Sequence, residues 1–142
     1  MKKHPEILLG FDFGTKRIGV AIGQNITKTA RPLGMVKAID GKPSWMEIAK
    51  FVKKWQPDAF VVGIPLNMDG TEQAITISAK QFALELAERF KLPVFQMDER
   101  LTSVEARANV FEEGGYKALK KTSVDSVAAQ LILQNWLTHQ SE

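Results

Sequence analysis

The chain has 142 residues, 44% of them hydrophobic and 25% charged, with a formal net charge of +3 and no cysteine; that length buries one proper core, and no linker-like shift in composition divides it, so a single domain over residues 1–142 is expected. Without cysteine, disulfides, thiolate catalysis and cysteine-ligated zinc are excluded. The two histidines, His4 and His139, lie near the chain ends, which leaves carboxylates, lysines and hydroxyls for any chemistry. The small basic excess admits a polyanionic partner without requiring one. No apolar run approaches a membrane span, and too few apolar residues separate Lys2-Lys3 from Asp12 for a signal-peptide core, so a cytoplasmic protein is expected.

Ile7 to Gly23 holds two apolar runs of strand length that meet at Asp12 and a short basic turn, Gly14 to Arg17, which predicts an antiparallel hairpin. Taken alone, Asp12 would cap that turn. Thr29 to Ala38 reads as a third strand at an edge, where Pro32 is tolerated, before an Asp40-Gly41 turn. Ser44 and Glu47 form a capping box for a helix through Trp45, Ile48, Ala49 and Val52 that stops at Trp55 and Pro57. Its two tryptophans fall at core spacing and read as packing rather than as a base-stacking surface.

Ala59 to Ile64 is a continuous apolar run between prolines, the pattern of a central parallel strand covered on both faces. After the turn-rich Pro65 to Thr71, a long helix carries Ile75, Ala79, Phe82, Ala83, Leu86 and Phe90 on one stripe, and Leu92 to Met97 reads as another strand. Strand, helix, strand, helix, strand in order implies right-handed parallel crossovers, with the chemistry beyond the carboxyl ends of the strands. Asp98-Glu99-Arg100 lies at one such end. Thr102 and Glu105 open a further helix up to Gly114-Gly115, and Gly114 to Lys121 reads as a mobile connector with Tyr116, Lys117, Lys120 and Lys121. A last helix starts from Thr122, with Val124, Val127, Ala128, Leu131, Ile132 and Trp136 on its apolar side and Asp125 in its first turn, where an acid complements the helix dipole.

If the first strand lies at the centre of the sheet, Asp12, Glu99 and Asp125 can converge, although spacing alone does not prove it. Clustered carboxylates require a cation, and hard oxygen ligands without histidine suit Mg²⁺ or Mn²⁺. Two such ions roughly 3.5–4 Å apart activate water and stabilise a leaving oxygen in phosphodiester cleavage. Lys16, Arg17 and Arg100 are candidates to position phosphates, with Lys117, Lys120 and Lys121 gripping the strand further out. For Arg100 a structural salt bridge fits equally well, Asn67 suits turn formation better than substrate contact, and Tyr116 is a thin basis for base stacking.

Four ordered motifs, Gly10 to Gly19, Val62 to Thr71, Asp98 to Ala106 and Asp125 to Ala129, resemble the YqgF family, whose members are described as nucleases of precursor 16S ribosomal RNA and as Holliday-junction-resolvase-like proteins. The resemblance runs essentially the whole chain. It implies an α/β, RNase H-like fold with a five-stranded mixed sheet flanked by helices, and it matches Asp12, Glu99 and Asp125 to acidic metal-binding positions. It implies a metal-dependent nuclease, with 5′-end processing of precursor 16S ribosomal RNA favoured and junction resolution on DNA as the alternative. Junction resolution normally calls for a symmetric dimer, and the predicted helix faces leave no surplus apolar stripe for one, so a monomer acting on structured RNA is expected. Asp12-Phe13-Gly14-Thr15 also looks like the phosphate-binding hairpin of actin-like ATPases, but those clamp nucleotide between two domains and this chain has room for one. A third reading is a non-catalytic RNA-binding assembly factor.

Overall fold

The computed structural model describes residues 5–99 and 124–139. Strands β1 (Ile7–Asp12) and β2 (Arg17–Gln24) form the expected antiparallel hairpin, with Asp12 paired to Gly19, and β2 continues antiparallel into β3 (Thr29–Ile39). Strand β3 is not the edge. Asp40 and Gly41 take positive φ values of 50° and 80°, which closes a two-residue turn and folds β4 (Lys42–Pro43) back on β3. The mixed sheet therefore has six strands rather than five, in the order β4-β3-β2-β1-β5-β6.

Helix α1 (Trp45–Trp55) starts at Ser44, whose Oγ accepts from the Glu47 N–H at 3.4 Å, and ends at Gln56 in the left-handed region. The other half of the expected capping box does not form: the Ser44 N–H donates to the Lys37 carbonyl, and Glu47 Oε2 accepts from the Lys37 N–H at 3.4 Å. Strand β5 (Ala59–Ile64) is buried throughout and parallel to both β1 and β6 (Val94–Asp98), with α2 (Ala74–Phe90) as the crossover. The last described helix, α3, runs from Val124 to His139.

Two cores follow from the alternation of the strands. On one face Leu9, Phe11 and Phe13 of the first strand and its turn pack with Phe60, Val62, Ile48, Phe82 and Leu86 beneath α1 and α2, and Trp45 and Trp55 pack against this cluster as expected. On the other face Leu8, Ala21, Val61 and Met97 meet Ala129, Ile132, Leu133, Trp136 and Leu137 of α3. The buried side of α3 is thus rotated from the expected one, and Val124 is 63% exposed. Gln134 and Gln130 brace this helix to the start of β3, through bonds to the Ala30 N–H and to the Lys28 and Ala30 carbonyls. The helix expected after Thr102 and the Gly114 to Lys121 connector lie outside the described residues.

Candidate functional site

Asp12 is the last residue of the central strand, half-buried at its carboxyl end. Its neighbours across the sheet are both glycine, Gly19 on β2 and Gly63 on β5, and residues directly opposite in register point to one face. That face is the one α3 covers. A methyl group on Gly19 would lie 1.8 Å from the Asp125 carbonyl oxygen, so the first turn of α3 rests directly on the sheet beside Asp12. A methyl on Gly63 would lie 3.0 Å from Glu99 Oε1 and 2.4 Å from Ile132 Cδ1. Glu99 follows β6, whose Met97 is paired with Gly63, and its carboxyl end folds back over that glycine. One row of the sheet thus carries Asp12 between two gaps, with Asp125 over one and Glu99 over the other.

The two glycines are the site residues that the motifs alone do not single out, although glycine inside a buried strand signals the close approach of another group. The basic turn is held rigidly at the lip of this row. The Lys16 carbonyl accepts from the Ala38 N–H at 2.9 Å and the Thr15 carbonyl from the Gly41 N–H at 3.0 Å, while Gly14 abuts the Arg17 carbonyl so closely that a methyl there would lie 2.3 Å from its oxygen. Arg17 Nε lies 3.2 Å from Asp125 Oδ2. The guanidinium expected to meet phosphate therefore neutralises one of the three acids. Lys16 is exposed beside it.

Among the described residues no three acids or histidines close on a common point, and the Asp125 carboxylate meets Arg17. The donor chemistry nonetheless fits a hard divalent cation: carboxylate oxygens and no soft ligand, on three elements that meet across two glycines. Asn67 belongs to its own turn. Its side chain donates to Thr71 Oγ1 at 2.8 Å, and its backbone N–H and carbonyl bond Thr71 and Gly70. His139 bonds the Asn135 carbonyl at the outer end of α3, about 21 Å along the helix from Asp125 at 1.5 Å per residue. Arg100, Tyr116, Lys117, Lys120 and Lys121 lie outside the described residues.

The sequence model of the RuvX family, described as Holliday junction resolvase, matches residues 6–139. A protein of Aeromonas salmonicida (strain A449) named "Putative pre-16S rRNA nuclease" is 59% identical over 133 residues, covering 94% of this chain and 95% of that one. One of the same name from Proteus mirabilis (strain HI4320) is 57% identical over 133 residues, covering 94% and 96%. In shape the chain is similar to T. thermophilus RuvC in complex with a Holliday junction substrate, with a TM-score of 0.59 at 17% identity over 95% of each chain. At that identity the likeness is one of fold, the RNase H-like arrangement of a mixed sheet with helices on both faces.

Proposed function

The chain belongs to the RuvX family, and from that membership we propose that it is a divalent-metal-dependent nuclease that hydrolyses phosphodiester bonds in precursor 16S ribosomal RNA. The observation that carries the reading is the row Gly19, Asp12, Gly63, which puts the first turn of α3 and the Glu99 carboxylate on either side of Asp12. Asp12, Glu99 and Asp125 would hold Mg²⁺ or Mn²⁺. When bound, such an ion supplies positive charge to the scissile phosphate and acidifies a water that can attack it. Asp12 contributes a carboxylate at the end of a strand paired on both sides, and Glu99 and Asp125 bring charge from β6 and α3 to the same end. Arg17, free to exchange Asp125 for a phosphate oxygen, positions the strand by a charge-assisted hydrogen bond. No side-chain nucleophile is needed.

Precursor ribosomal RNA as substrate is supported by the names of the close relatives. A four-way DNA junction is the second reading, favoured by the family description. No described helix is long and apolar enough to cross a membrane. Ribosomal precursors as substrate imply a cytoplasmic site of action. We take the working unit to be a monomer. Purified protein and its Asp12→Asn variant, given precursor 16S RNA and a four-way junction with Mg²⁺ or Mn²⁺, test all of this. RNA cleavage that vanishes in a folded variant is the expected result. Undiminished cleavage by Asp12→Asn would overturn the site, and paired nicking of the junction with the RNA left intact would overturn the substrate.

A further inference from the structure

We propose that the β2-β3-β4 side of the sheet, on the face that carries α3, is a second nucleic-acid contact in which Lys37 and Lys42 bind the phosphates of the strand that passes Asp12; the inference rests on the nuclease reading. The register places it. Arg17 shares the α3 face with Gly19 two residues on, as its pairing with Asp125 shows, and Lys37 stands directly opposite Arg17 on β3. Ile39 is two residues further along the same face, and Lys42 is opposite Ile39 on β4. Gly19 of the acid row is opposite Met35 on β3, so Lys37 stands two residues and the Ile39-Lys42 pair four residues beyond that row, and the cations run diagonally from the acids to the edge of the sheet. At about 4.8 Å between strands and about 3.4 Å per residue along them, the Lys37 and Lys42 positions lie roughly 12 and 20 Å from Asp12, within a few nucleotides of one strand.

Helix α3 leaves this corner open. It starts at Val124, with Asp125 over Gly19, and runs toward the other end of β3, where Gln130 and Gln134 bond Ala30. Lys37, Ile39 and Lys42 are exposed, Ile39 by 76%, and with Asp40, Pro43 and Ser44 they line a groove of about 450 Å³ at the edge of the sheet. Among the described residues neither lysine is in an ion pair. The acids nearby are Asp40 at the hairpin tip, which lines the same groove, and Glu47, engaged with the Lys37 N–H. With Arg17 paired to Asp125, Lys16, Lys37 and Lys42 still outnumber Asp40 and Glu47, and an exposed isoleucine between two lysines offers a base or sugar an apolar rest. A polyanion with apolar faces matches this surface.

The test measures binding in the Asp12→Asn background, so that nothing is cut, with a single-stranded RNA of precursor 16S sequence at a series of salt concentrations. Lys37→Gln with Lys42→Gln is compared with Lys53→Gln with Lys54→Gln, which removes equal charge from the last turn of α1 on the opposite face. Losing two phosphate contacts should flatten the slope of log K against log salt by about 1.4, at about 0.7 per phosphate for a single strand. Affinity at low salt should fall about tenfold, with the melting temperature unchanged, and the Lys53/Lys54 variant should match its parent. An unchanged slope in the Lys37/Lys42 variant, or equal losses in both, would overturn this contact and leave the nuclease reading standing. Failure of the parent to bind RNA would overturn both.

Discussion

Beneath α1 and α2 the sheet presents Phe11 and Phe13, whose rings meet Phe82 at centroid separations of 5.5 and 5.3 Å; beneath α3 it presents Gly10, Gly19, Gly23 and Gly63. The aromatic face is held by volume. Burying a ring such as Phe82 stabilises the fold by about 1.5–3 kcal/mol, and neighbouring side chains can shift rotamer to absorb small changes. The glycine face has no such slack at the site, because at Gly19 helix backbone meets strand backbone and neither has a torsion to spare. The larger of the two cores lies on the first face, and the charge is placed on the second. Substitutions on the two faces should therefore separate folding from activity.

The largest effect is expected at Asp12. Loss of several kcal/mol of transition-state charge stabilisation corresponds to a fall in cleavage on the order of 10³-fold for Asp12→Asn. Metal-free stability should stay level or rise, since one of three neighbouring negative charges is gone. A thermal melt in chelator beside a cleavage assay checks both. Gly19→Ala comes next: its methyl would lie 1.8 Å from the Asp125 carbonyl oxygen, so α3 must move. Overpacking of this kind costs about 1–3 kcal/mol, and a displacement near 1 Å at the chemistry costs about 10²-fold in rate. Gly34 is the matched control, because a methyl there meets only Phe51 Cζ at 3.7 Å; Gly34→Ala should leave cleavage unchanged. Equal behaviour of the two alanine variants would erase the distinction between the faces.

What the sequence discloses follows the same division. The strands around Asp12 and the central run Ala59 to Ile64 are legible because burial on one or both faces imposes an apolar pattern, and Ser44 announces α1 through a cap that forms. Strand β4 is silent because two residues carry no period, and only the positive φ at Asp40 and Gly41 creates it. The buried side of α3 is misread because apolar residues surround it at Ala128-Ala129 and Leu131-Ile132-Leu133, so spacing does not select a face. The placement of Asp125 and Glu99 on either side of Asp12 depends on strand order and register, which no local pattern encodes. The resemblance names those acids, and the register explains why glycines flank the first of them.

Phe82→Leu probes the aromatic face. It removes ring volume from a position in contact with Phe11, Phe13 and Trp45 and should cost about 1–2 kcal/mol, less than the about 3–5 kcal/mol typical of Phe→Ala. Cleavage per folded molecule should be unaltered. A denaturant titration gives the first quantity, and the rate corrected for the folded fraction gives the second; a rate loss as large as that of Gly19→Ala would mean that the two faces are coupled.

The smallest effect on stability, and the finest test of the glycine face, is expected at Arg17. Its pair with Asp125 is partly exposed, with side chains 60% and 30% accessible, so losing it through Arg17→Gln should change folding by no more than about 1 kcal/mol. The same guanidinium competes with any cation for the Asp125 carboxylate. Its removal should tighten Mn²⁺ binding a few-fold, the counterpart of a repulsion near 1 kcal/mol between like charges in a wet site. Cleavage should fall nonetheless, since the strand loses a positioning contact. Titration of Mn²⁺ by calorimetry in the absence of RNA reads the first effect independently of the second. Weaker Mn²⁺ binding would show instead that Arg17 holds Asp125 in the posture the ion needs, and would make the salt bridge part of the site's scaffold rather than a competitor for it.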